Sequence, residues 1–296
     1  ASPSPLTLQF RKVFLENILF EFASAASEID VDVSLGKLTI MEAELSTHPM
    51  KIKADHVVLQ QTIVNTLSTA HPVTQQAPVT SESNNTLFLP PDFGTGIAFE
   101  VRDLELKDDE FSFHKQQVTT SKKFDPSHLE LKNIQLKLTD ISTHPDTLTG
   151  RLQALSVELP GFTLAETKAD IHLNHNQVML SGLHLASGMN ELNADLAAPN
   201  SLNSLKQANP TPIDIVLQGR VNPQDFTYFF SDSLMHQFNS WGTTEVDIDG
   251  TYTMGKGKLK TLRLKTGNSQ LQANGMINEV LNPDKINWQE VSIDAS

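Results

Sequence analysis

The chain has 296 residues, 39% of them hydrophobic and 19% charged. That balance excludes a disordered chain and leaves ample apolar material for a buried core. A formal charge of −13 with scattered Lys and Arg argues against a nucleic-acid partner, and the absence of cysteine removes disulfides, thiolate metal sites and cysteine nucleophiles together.

The opening Ala1-Ser2-Pro3-Ser4-Pro5 has neither the basic flank nor the apolar core of a signal peptide. No apolar run reaches the roughly 18 residues of a membrane-spanning helix. The expectation is a cytosolic protein or the soluble part of a longer one.

Period-two alternation then sets in. Ile29, Val31, Val33 and Leu35 share one strand face while Asp30, Asp32 and Ser34 take the other. Val57 to Leu67 is ambiguous between strand and helix. Gln75 to Thr86 is polar, contains Pro78 and reads as an exposed loop. The organisation is a β segment over 1–74, a polar loop over 75–88 and a β segment over 89–296, which either forms a second domain or continues the first as one elongated domain.

Alternation returns at Ile97-Phe99-Val101, Ile134-Leu136-Leu138, Leu155-Val157-Leu159, Leu192-Ala194-Leu196, Ile213-Ile215-Leu217 and Val246-Ile248. Strands following strands without helical crossovers predict a mainly β fold with a mostly antiparallel sheet. A short element recurs among them, in Leu15-Glu16-Asn17-Ile18, Val101-Arg102-Asp103-Leu104, Leu131-Lys132-Asn133-Ile134, Leu180-Ser181-Gly182-Leu183 and Leu259-Lys260-Thr261-Leu262. Residues three apart in an ideal strand face opposite ways, so each copy requires a bulge or bend that resets the phase. Asn, Asp and Gly tolerate the backbone such a bend needs. The last two copies extend into a longer match, which places Gly188 and Gly267 at the turns of equivalent hairpins.

Asn222 caps and Pro223 starts a predicted helix in which Phe226, Phe229, Phe230, Leu234 and Phe238 recur at helical spacing. Its polar face lacks Lys and Arg, which fits a cap over an end of the sheet better than a membrane-surface helix. A further short helical turn is expected over Ser201 to Ala208.

Chemistry-bearing patterns are sparse. His172-Leu173-Asn174-His175 would point its two rings to opposite strand faces, so no metal site is expected there. Ser46-Thr47-His48-Pro49 and Ser142-Thr143-His144-Pro145 read as turns between strands. Gly255-Lys256-Gly257-Lys258 lacks the rest of a phosphate loop and reads as a hairpin tip. Asp108 and Asp109 are expected on the solvated face. No nucleophile elbow or zinc-protease helix occurs. The expectation is a non-enzyme with no catalytic residues, no metal and no cofactor.

Alternation alone leaves open whether a second sheet, helices or a guest covers the apolar face, and by itself it favours a closed β-sandwich. The order of segments adds to it. Phe124-Asp125-Pro126-Ser127-His128-Leu129-Glu130-Leu131-Lys132-Asn133-Ile134-Gln135-Leu136, then Leu155-Ser156-Val157-Glu158-Leu159-Pro160-Gly161-Phe162-Thr163-Leu164, resemble the TamB-type AsmA-like proteins of Gram-negative bacteria. Leu183-His184-Leu185-Ala186-Ser187-Gly188, Ile213-Asp214-Ile215 leading into Asn222-Pro223-Gln224-Asp225-Phe226, and Leu262-Arg263-Leu264-Lys265-Thr266-Gly267 follow in similar order. The resemblance runs from about Leu89 to the end and more loosely over the first seventy residues.

It implies an elongated, curved sheet shaped as a β-taco or half-pipe, with an apolar groove and one or two short helices. It further implies a periplasmic location within an inner-membrane-anchored protein whose anchor lies outside this sequence. The implied function is to shield phospholipid or other acyl-chain lipid in transit between inner and outer membrane. Ile134, Leu136, Leu138, Leu183, Leu185, Leu192, Leu262, Leu264 and Leu271 are the candidate groove residues. The alternative is an interaction module that assists an outer-membrane barrel protein by β-strand addition, and unpaired strand edges make self-association a third expectation.

Overall fold

A computed structural model describes residues 6–24, 28–47, 50–68, 98–116, 123–144, 147–174, 177–199, 212–230, 232–237, 241–253, 256–278 and 287–296. The polar loop over 75–88, the turn at Ser201 to Ala208, and Ile97, His175, Phe238 and Gly255 lie outside these residues.

The chain is mainly β. Its strands are β1 (Thr7–Ser24), β2 (Ile29–Thr47), β3 (Met50–Gln60), β4 (Ile63–Ser68), β5 (Ala98–Lys115), β6 (His128–His144), β7 (Thr147–Leu159) and β8 (Phe162–Leu164). They continue with β9 (Glu166–Asn174), β10 (Gln177–Ser187), β11 (Asn190–Pro199), β12 (Ile213–Val221), β13 (Thr244–Thr253), β14 (Lys256–Thr266), β15 (Ser269–Asn278) and β16 (Asn287–Ala295). A 3₁₀ turn, Pro223–Phe226, and helix α1, Asp232–Gln237, join β12 to β13. All the strands belong to one elongated, curved sheet. Its order is β1-β2-β3-β5-β6-β7-β9 through β16, with β4 paired to β2 and β5, and β8 to β7.

Neighbouring strands are antiparallel except where β3 and β4 meet β5, which are parallel. This exception has a simple origin. β3 pairs with the Lys37 to Thr47 half of β2 and β4 with the Ile29 to Ser34 half, in one unbroken register, so the two are halves of a single strand interrupted at Gln61-Thr62. The ambiguous Val57 to Leu67 stretch is therefore extended. The next strand, β5, enters after residues 69–97 in the same direction and runs alongside both halves.

The phase resets predicted from sequence are present and aligned. Asn17, opposite Gly36, begins a row that continues through Gln61 and Asp108 to Asn133, and every member except Gly36 has positive φ, between 50° and 56°. A second row crosses the same strands at Glu42 (φ 48°) and Asp140 (φ 54°). On β1 the apolar side thus runs Leu8, Phe10, then Val13, Leu15, then Ile18, Phe20, Phe22. Each faces an apolar partner on β2, from Leu45 opposite Leu8 to Val31 opposite Phe22. A kink that recurs at one level in adjacent strands bends the whole sheet while keeping one face apolar. Gly182 (φ 59°) resets β10 in the same way, with a register shift between Leu180 and Leu183. The copy at Thr261 keeps the shift, between Leu259 and Leu262, without a positive-φ residue.

Gly188 (φ 57°) and Gly267 (φ 56°) begin the two-residue turns of the β10–β11 and β14–β15 hairpins, where the internal repeat puts them. The two Ser-Thr-His-Pro segments lie between strands as expected; Pro49, Pro145 and His48 are outside the described residues, and the threonines close the strand ends. Thr47 Oγ1 accepts the Leu6 N–H at 3.1 Å, and Thr143 Oγ1 accepts the Phe99 N–H at 2.8 Å, so the same residue closes the first ladder position of the preceding strand in both hairpins.

Asp109 corrects the expectation of a solvated carboxylate. The kink at Asp108 turns Asp109 onto the apolar face, where it is buried at 4% exposure and accepts the Thr62 N–H at 2.6 Å and the Lys107 N–H at 3.0 Å. Those two donors are left over where β3 breaks into β4, and the side chain substitutes for the missing ladder partner. Burial pushes its carboxyl above the ordinary aspartate range, outweighing the two hydrogen bonds that pull it down. The folded state therefore holds the Asp109 proton more tightly than the unfolded state. This group's contribution to stability is fully present below the unfolded pKa and is lost as pH rises through the folded one. Asp109→Ala is expected to cost about 2–3 kcal/mol, because it strands two buried donors. In urea melts against pH, the wild type's margin over Asp109→Asn should shrink as pH rises through that window. A constant margin would contradict the burial argument.

Candidate functional site

The register places one face of this sheet in view from end to end. Across β5, β6 and β7, Leu106 is opposite Leu136 and Leu136 opposite Leu155, while Leu104, Leu138 and Leu152 align in the next row. Across β10 to β12, Leu185 meets Leu192, Leu183 meets Ala194, and Ala194 meets Leu217. Across β12 to β15, Leu217 meets Ile248, Ile248 meets Leu262, and Val246 meets Leu264, which meets Leu271. Ile134 stands opposite Asp109, one row from Leu136. The nine candidate residues therefore all lie on this face, in clusters separated along the sheet. Alternation on β12, β13, β5 and β7 was the signal for the further members Leu104, Leu106, Leu152, Leu217, Val246 and Ile248.

The opposite face is charged. Arg151 pairs with Asp170 at 2.8 Å, Lys260 with Asp249 at 3.1 Å and Arg263 with Asp247 at 3.2 Å, each across neighbouring strands. Exposed pairs of this kind contribute little to stability, and their main consequence is to keep that face wet.

The apolar face is not sealed by a second sheet, since every described strand belongs to the one sheet. Burial agrees. Among the described residues, Leu35, Val157 and Leu262 are the only buried Leu, Ile or Val side chains, each still 6–9% exposed, and half of the buried apolar residues are alanines. Of the nine candidates, only Leu262 is buried and the rest are half-covered. Two interlocked layers would bury such side chains almost completely.

One end of the face is covered. The continuous helix expected after Asn222 is broken in two. Asn222 Oδ1 does accept the Gln224 N–H at 3.2 Å, as a cap, but only a 3₁₀ turn follows, and α1 is six residues long. Packing explains the break, because the aromatic residues are used in several directions instead of along one helix face. Phe229 lies 4.9 Å from the Phe162 ring edge-on and 5.4 Å from Phe124, while Phe226 lies 5.7 Å from Phe162. Tyr228 is buried against Phe124 and Gly161, and burial raises its hydroxyl above the usual tyrosine range. Backbone joins the cluster too, since the Phe124 N–H donates to the Tyr228 carbonyl at 2.7 Å.

Polar residues on the same end of the apolar face are buried beneath this segment. Asn190 Nδ2 donates to Asp225 Oδ2 at 2.9 Å and to the Ser187 carbonyl at 2.7 Å, while its Oδ1 accepts the Asn222 N–H at 2.6 Å. Thr244, at 1% exposure, is the most enclosed side chain among the described residues. Lys123 binds Asp232 at 2.7 Å and pulls its carboxyl below the ordinary range, tying α1 to the strand-entry segment before β6. The arrangement is an end cap on the sheet, as the charge pattern of the segment suggests.

No family model, curated protein or solved structure matches the chain. What the site can do chemically is therefore read from its own residues. Among those described, no three His, Asp or Glu side chains converge as a metal-binding group, and no helix is long and apolar enough to cross a membrane. His172 sits on β9 opposite Met179 and Thr149. Among the described residues, the Leu rows of the apolar face carry no charged side chain, and the carboxyl that does lie on this face, Asp109 opposite Ile134, is buried and hydrogen-bonded to backbone. What it can do is replace water around hydrocarbon.

Proposed function

We propose that the chain is a periplasmic segment of a TamB/AsmA-like, envelope-spanning protein, in which the apolar face shields lipid acyl chains moving between inner and outer membrane. One observation carries this reading. Clusters of apolar residues recur on one face in every part of the sheet, yet among the described residues no second sheet covers them and most of their side chains remain half-exposed. A face of that extent held open to water is costly, at about 25 cal/mol for each Å² of apolar surface, unless something occupies it. Acyl chains repay that cost at about 0.8 kcal/mol per methylene and need no directional contact, while headgroups stay at the wet rim. The order of segments in the sequence, which resembles that family's, supports the assignment, and shielding hydrocarbon requires no catalytic group. The reading makes the protein a non-enzyme that needs no cofactor.

Photocrosslinking amino acids at Leu136, Leu185 and Leu264 test it, since these residues stand on three separate parts of the face. Capture of phospholipid acyl chains at all three is the expected result. Folded protein with silent crosslinkers at all three positions would remove the proposal.

A further inference from the structure

Between β10 and β15 the two rims of the apolar face differ in chemistry. At one rim the last positions on this face are polar: Ser187 opposite Asn190, Thr244 opposite Thr266, and Thr266 opposite Ser269. Val221, opposite Thr244, is the apolar member there. At the other rim the same face stays apolar to the strand ends. Leu173 stands opposite Val178, Val178 opposite Ala198, Ile213 opposite Tyr252, and Ile277 opposite Gly257, which has no side chain. The same row continues the other way, from Leu148 opposite Leu173 back to Leu8 on β1. Its polar member, Thr143, is buried, and its hydroxyl oxygen accepts the Phe99 N–H.

Two features turn hydrocarbon toward the apolar rim. Over part of its length the polar rim is already taken, because the segment after Asn222 docks there and Asn190 spends its amide on Asp225 and Asn222. Beyond that cap, Thr266 is half-buried and Ser269 exposed. Hydrocarbon laid over these two would strip water from their hydroxyls without offering a partner. Over Leu173, Val178 or Ile277 it removes water from surface that gains by losing it. Strands of 9 to 11 residues separate the rims. That is about 30 Å at the usual rise per residue, so the sheet presents an extended amphiphile with a gradient from one end to the other.

We infer that acyl chains run along the rim that carries Leu173, Val178, Ile213, Tyr252 and Ile277, with the guest's polar head turned to the opposite rim at Thr266 and Ser269. This rests on the lipid reading above and adds a direction across the sheet that an open apolar face alone does not give. The nine candidate residues lie between the two rims and are covered in either orientation.

Two phosphatidylethanolamine probes test it, one with a diazirine at the acyl terminus and one with a diazirine on the headgroup amine. Each is carried in phosphatidylcholine vesicles, mixed with the chain and irradiated, and the labelled residues are mapped by peptide mass spectrometry. The tail probe should label Leu173, Val178 and Tyr252 about tenfold more than Thr266 and Ser269, the ratio set by leaving one hydrogen bond unmade. The headgroup probe should show the reverse. Replacing both hydroxyls, Thr266→Val with Ser269→Leu, touches no buried position and should raise tail labelling at 266 and 269 to the level of the apolar rim. Equal labelling of both rims by the tail probe, or a double variant that changes nothing, would overturn the inference and leave the lipid reading standing. Folded protein labelled by neither probe would overturn both.

Discussion

Leu264→Asp and Leu136→Asp are expected to lower acyl-chain capture by roughly 30- to 1000-fold and to cripple lipid transport by the full-length protein, with the sheet still folded. Leu264 stands between Val246 and Leu271, and Leu136 between Leu106 and Leu155. Each change removes a leucine contact worth up to about 3 kcal/mol and forces a carboxylate against hydrocarbon. Both sites are half-exposed in the protein alone, so the carboxylate can reach water when no guest is present. That difference makes the effect on binding larger than the effect on folding. Arg263→Gln, on the opposite face, removes only an exposed ion pair with Asp247 and should leave capture unchanged. Quantitative crosslinking to radiolabelled phospholipid, with far-UV circular dichroism as the fold control, measures both. Unchanged capture by folded Leu264→Asp would contradict the proposed route.

Gly36→Ala is expected to destabilise the protein by about 2–3 kcal/mol although it adds a single methyl group. A Cβ at Gly36 would lie 2.6 Å from the Gln61 carbonyl oxygen and 2.7 Å from that of Gln60. Both are backbone atoms, so no side chain can rotate away. They belong to the point where the strand opposite β2 breaks and the kink row crosses. Relief requires β2 to part from β3 and β4 there, which opens the bend shared by five strands. The urea midpoint should fall with little change in slope. A loss below about 0.5 kcal/mol would mean that the kink row is soft and does not define the curvature.

Much of this fold is legible in the sequence because strand alternation is a direct print of which face avoids water. Even the phase resets can be read, since Leu131 and Ile134, or Leu180 and Leu183, can share a face only if Asn133 or Gly182 bends the chain. Three features stayed hidden for physical reasons. Asp109 reads as polar surface because the residue that flips it inward, Asp108, is itself unremarkable in a strand, and one of the two donors it satisfies, the Thr62 N–H, is far away in sequence. Parallel pairing of β3 and β4 with β5 depends on how the chain re-enters after residue 97, which no local pattern encodes. The helix after Asn222 has the cap and the spacing it needs. Phe162 and Phe124 lie on other elements, and their pull on Phe226 and Phe229 overrides local propensity.

The candidate face was legible in the same way and to the same depth. Its rows follow from alternation, whereas its lack of a second layer follows only from the way one sheet takes up all the described strands. A β-sandwich would have the same alternation, with the Leu rows buried instead of half-exposed.

Native mass spectrometry of the protein released gently from an envelope extract puts the central claim to its most direct test. The account predicts a ladder of masses above the bare chain, each step matching a phospholipid, that disappears in Leu264→Asp. Spectra showing only bare protein, from wild type and variant alike, would mean that the open face carries no hydrocarbon guest.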